Sequence, residues 1–164
     1  MDYFLGIYLR DQLAAGVLWR ELAQRAERNN RGSELGEALH DVATGIAEDV
    51  DTFRTIMRKL SIREDPVKTT MALVGERMGR LKLNGRLTGY SPLSRFEELE
   101  LLVMGIEGKK VLWTTLRDLA GLATRLPQID FDHLEQRATQ QRARLEPFRE
   151  RVGREVFGNA EATE

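Results

Sequence analysis

The sequence predicts an all-α protein, an antiparallel four-helix bundle with a fifth helix at its C-terminal end. Three observations carry that prediction. Apolar residues recur at steps of three and four over five long stretches, which is the periodicity of helices that bury one face. No stretch of useful length alternates apolar and polar residues as a half-buried strand would. Three of the four prolines, Pro66, Pro92 and Pro127, fall where the helical patterns break.

The first helix is expected from Tyr3 to about Arg28, with Phe4, Ile7, Tyr8, Ala15, Leu18 and Leu22 as its apolar stripe, and Asn29-Asn30-Arg31-Gly32 ends it. Ser33 is suited to cap a second helix with the stripe Leu35, Leu39, Val42, Ile46, Val50, Phe53, Met57 and Leu60. Asp65-Pro66 starts a third, with Val67, Met71, Val74, Met78 and Leu81 inward, and Asn84-Gly85 closes it. Residues 85–92 lack helical periodicity and read as a crossover loop. Ser91 before Pro92, or the capping-box spacing from Ser94 to Glu97, begins a fourth helix whose apolar residues run to Leu122. Asp130 or Asp132 caps a fifth, with Phe131, Leu134, Ala138, Leu145, Phe148, Val152 and Val156 on one face. Pro147 lies inside that helix and is expected to kink it. Residues 1–157 are thus expected to form one domain, and 158–164, without a core residue, a mobile tail.

Composition narrows the chemistry. The 164 residues include no cysteine, which removes thiol catalysis, cysteine-based zinc sites and disulfides. Hydrophobic residues at 41% and charged residues at 31% exclude a low-complexity disordered chain. The acidic start of the chain makes a poor signal peptide, and charges interrupt every apolar run before about 20 residues, so a cytoplasmic protein with no membrane span is expected. With two histidines on different helices, a Ser-His-Asp arrangement has little material.

Two long helices joined by a short loop, a second pair, a crossover and a terminal helix resemble the ferritin-like class of helical bundles over roughly residues 3–157. Segments 8–13 and 81–93 are similar to parts of uncharacterised bacterial bundle proteins. Di-metal ferritin-like proteins hold iron or manganese with Glu-x-x-His motifs. This chain contains none, and His40 and His133 are not spaced as such ligands.

Three features could carry function. Asp11, Asp49, Glu100 and Glu107 fall on or beside apolar stripes, where a carboxylate must be paired, hydrogen-bonded, neutral or bound to a cation. They would make either a carboxylate-only iron or manganese site, or stripe-edge acids paired with bases such as Arg20, Arg54 or Lys110. Secondly, residues 66–95 hold Lys68, Arg77, Arg80, Lys82, Arg86 and Arg95 against Glu76 alone, a balance of +5 in a chain of net charge −1, while residues 33–65 balance at −4. Arg77, Arg80, Lys82, Arg86 and Arg95 could meet an anion or an acidic protein face, or the acidic helix of the same chain. Tyr90 is the one aromatic residue in that run, so nucleic acid is a poor fit. Thirdly, Gly75 and Gly79, and Gly105 and Gly108, interrupt helices at about 1 kcal/mol each relative to alanine, which suggests close helix approach or a bound guest. The expectation is a non-enzymatic interaction protein, stress-associated in character, that docks a partner or a second copy through residues 66–95 without a cofactor. The rival is the carboxylate metal site.

Overall fold

The computed structural model of the protein describes residues 2–64 and 90–158. The third predicted helix, most of the crossover loop, Arg77, Arg80, Lys82, Arg86, the Gly75/Gly79 pair and residues 159–164 lie outside the described residues. Those described are all-α: α1 (Asp2–Asn29), α2 (Glu34–Lys59), α3 (Pro92–Thr114), a π-helical turn (Thr115–Leu119), α4 (Leu122–Arg125) and α5 (Phe131–Phe157), with no strand among them. No described helix is long and apolar enough to cross a membrane.

Helix ends follow local chemistry. Ser33 Oγ accepts from the Gly36 N–H at 3.1 Å, Ser91 Oγ from Ser94 at 3.0 Å, and Asp130 Oδ1 from His133 at 2.9 Å. Each occupies a first-turn donor that the helix leaves unpaired. Gly36 permits the tight α1–α2 corner, because a Cβ there would collide with the Asn30 carbonyl. The fourth predicted helix does not stay α-helical to Leu122. It widens into the π turn at Thr115, and Gly121, at φ +63°, stops it in a backbone conformation natural to glycine. α5 runs unbroken through Pro147.

α1 packs mainly on α2, and α3 on α5; the two pairs meet along α1–α3 and α2–α5. Burial follows the predicted stripes on α2 and α5. α1 is turned differently. Leu9, Leu13, Leu22, Ala23 and Ala26 are buried, while Phe4 and Ile7 of the predicted stripe are exposed. The reason is that the first turns of α1 are apolar on most of their circumference, so periodicity does not single out one face. The apolar core forms two clusters, one around Leu39, Leu99 and Leu145, the other around Phe53, Trp113 and Leu116.

Candidate functional site

Between those clusters lies a layer of buried charge. Asp49 occupies the α2 core stripe and is almost inaccessible. Lys109 of α3 donates to Asp49 Oδ2 and to the Gln141 side-chain oxygen, and Arg137 of α5 donates to Asp49 Oδ1. Burial pushes the Lys109 ammonium below the ordinary lysine value, against the attraction of Asp49. Gly45 makes room for the layer, since a Cβ there would collide with the Gln141 amide.

A second buried network closes the far end of the molecule. Glu98, wholly inaccessible, pairs with Arg25 at 3.0 Å and accepts from the Tyr90 hydroxyl at 2.8 Å. Tyr90 in turn accepts from Asn30 Nδ2 at 3.0 Å. Burial holds the Glu98 carboxyl above the ordinary carboxylate value, opposed by Tyr90 and Arg25, and burial likewise raises the Tyr90 phenol. Arg95, the one described member of the predicted basic set, lies over the Tyr90 ring, 5.3 Å from its centroid. It is anchored to this corner.

The stripe carboxylates are dispersed among separate surroundings. Asp49 is buried in its ion cluster. Glu100 pairs with Arg149 at 3.8 Å and Glu107 with Arg142 at 2.8 Å, all on half-exposed helix flanks. Asp11 is exposed, as the rotation of α1 requires. Among the described residues no three histidine, aspartate or glutamate side chains converge to hold a metal ion, so the donor set of the ferritin-like class has no counterpart there.

The acids of α2 meet arginines of α5 in sequence. Glu34 pairs with Arg151 at 3.7 Å, Asp41 with Arg144, and Glu48 with Arg137 at 2.7 Å. Both series step by seven residues, in opposite chain order, which is one interhelical flank of a heptad repeat.

A cleft of about 470 Å³ opens between α1 and α3, with α2 behind it. Gln12 and Trp19 line one wall, Met104 and Gly108 the other, and Asp49 and Lys109 reach its floor. Gly105 supports it by close packing: a Cβ there would lie 2.7 Å from the Trp19 indole. Gly108 has nothing within 4 Å. Sequence reasoning missed Lys109 and Glu98. The signal for Lys109 was available in Asp49, a core acid that needs a base on a facing helix; Glu98 carries no such mark, being one of three glutamates in a four-residue run.

No protein-family model matches the chain, and neither a curated protein nor a solved structure matches it.

Proposed function

We propose that the protein is a non-enzymatic interaction module, an antiparallel four-helix bundle of ferritin-like outline, that docks an acidic protein face, another protein's or a second copy's, through the basic run 66–95. The observation that carries this reading is where the acids of α2 go. Residues 33–65 are the acidic complement of the basic run within the chain, yet Glu34, Asp41, Glu48 and Asp49 are engaged by α5 arginines. Four of the eight acids of residues 33–65 are thereby committed to α5, which supports an outside partner for the positive balance of 66–95. The bundle arrangement is supported by contacts that run in opposite chain order between helices: Glu27 with His40 and Arg10 with Arg63 across α1 and the chain around α2, and Glu100 with Arg149 and Glu107 with Arg142 across α3 and α5.

The test is the triple reversal Arg77→Glu, Arg80→Glu, Arg86→Glu, which spares the anchored Arg95. Light scattering reads the oligomeric mass, and fluorescence anisotropy reads affinity for a polyglutamate peptide at low salt. The reversal is expected to lower the mass to that of one chain or to weaken peptide binding by about tenfold or more, with the melting temperature retained. If both the mass and the affinity stay unchanged, the reading fails.

A further inference from the structure

The α1–α3 cleft is lined by two buried hydrogen-bond donors that the surrounding side chains do not fully satisfy. Trp113 is 1% exposed and forms part of the lining, yet its indole Nε1–H is buried without an acceptor. Leaving such a donor unmet is costly, and a buried tryptophan ordinarily finds a partner. Lys109 lines the same cleft. Its ammonium has three N–H groups, and the side chains around it take two, at Asp49 Oδ2 and Gln141 Oε1. Lys109 and Trp113 are four residues apart on α3, so both donors come from neighbouring positions of one helix face.

Charge at this level is also unbalanced. Asp49 meets two cations, Lys109 and Arg137, while the second acid on Arg137, Glu48, is 60% exposed. The buried part of the layer therefore carries one positive charge in excess. Burial lowers the Lys109 ammonium value, an effect that an anion beside it would oppose. The rest of the cleft is mainly apolar, with Leu13, Trp19, Phe53, Val111 and Leu112 in its walls. It follows α1 from Tyr8 to Trp19, about 16 Å at ~1.5 Å per residue. Gly108 keeps space open beside Lys109, since a Cβ there would meet nothing within 4 Å.

We propose that this cleft binds one small apolar monocarboxylate, its oxygens accepting from Lys109 and Trp113 and its unbranched body lying along the apolar walls. The excess positive charge selects an anion, the two unmet donors select an oxygen acceptor, and the elongated apolar walls select a chain rather than a polar metabolite. Gly108, at a helix position where alanine is the better former, is retained for the room it leaves. The proposal is separate from the docking role of residues 66–95 and uses none of them.

The test titrates decanoate, and its uncharged counterpart decan-1-ol, into the full chain at neutral pH, below the concentrations at which either aggregates. Both tryptophans line the cleft, so their fluorescence follows binding. Decanoate is expected to saturate at one per chain and to bind about tenfold or more tightly than the alcohol. In 1H–15N spectra the indole signal of Trp113, identified as the one retained in Trp19→Phe, should shift on adding decanoate. Gly108→Leu fills the open space and should weaken decanoate about tenfold or more with the melting temperature retained. Ala15→Phe on the facing wall repeats that arm should Gly108→Leu not fold. No saturable binding, decan-1-ol binding as tightly as decanoate, a Trp113 signal that stays in place, or unchanged affinity in a folded occlusion variant would overturn the proposal. The last result would put the probe on exposed aromatic surface such as Tyr3 and Phe4.

Discussion

At the residue scale the buried ionisable groups make claims that pH can check. Glu98 is held above its ordinary value of 4.5 by burial. As pH rises from that value the unfolded chain gives up the proton first, so the folded state binds more protons and loses stability until Glu98 itself ionises. Glu98→Gln removes that dependence. The melting-temperature advantage of the wild type over Glu98→Gln should therefore shrink between about pH 4.5 and pH 7; an advantage that grows would mean that Arg25 and Tyr90 outweigh burial. The two α3 glycines give an opposed pair. Gly105→Ala drives a Cβ to 2.7 Å from the Trp19 indole and should cost about 1–3 kcal/mol in denaturant unfolding. Gly108→Ala meets nothing within 4 Å and should gain up to about 1 kcal/mol from helix propensity. Equal effects would show that neither glycine is placed as described.

At the element scale, what the sequence made legible depended on how one-sided each helix is. α2 and α5 have a single apolar face, and their stripes and the Ser33 cap were readable directly, while the structure takes Asp130 of the two caps that the sequence offered for α5. α1 is apolar nearly all round at its start, so its rotation is decided by α2 and α3 and no local pattern could supply it. That one misplaced rotation also carried Asp11 toward the interior, when it faces solvent. The acid and arginine series of α2 and α5 share a seven-residue step that is present in the sequence, but recognising it as a pairing requires knowing that the two helices are neighbours. Glu100 and Glu107 follow the same logic on the other flank of α5: seven apart, they match Arg149 and Arg142, also seven apart. Their place beside an apolar stripe is that of an interhelical flank, where a carboxylate keeps water and a partner and contributes about 1 kcal/mol or less.

At the scale of the whole molecule, the layer of Asp49, Lys109, Arg137 and Gln141 divides an otherwise apolar interior into two clusters. Burying these charges carries a desolvation cost that their mutual attraction has to offset, and the geometry shows how: both Asp49 oxygens are occupied by cations, and Lys109 has a second acceptor in Gln141. The interactions are cooperative, so removing one member should hurt more than removing the set. Asp49→Leu strips buried Lys109 of its counter-ion beside Arg137, which keeps only Glu48, and is expected to lower unfolding stability by about 3–5 kcal/mol. Replacing the three charged members, Asp49→Leu with Lys109→Met and Arg137→Leu, leaves Gln141 as the one polar member of the layer between the two clusters, and stability should return to within about 1–2 kcal/mol of the wild type or exceed it. Denaturant unfolding followed at the tryptophans reads both variants, because Trp113 lies in the cluster on one side of the layer and Trp19 packs against the cluster on the other. If the triple variant is as unstable as the single one, the layer is needed for packing shape rather than for charge balance. Full recovery would instead identify its role as fixing how the helices register against one another, a role in which the ions select one alignment among several that an unbroken apolar seam would allow.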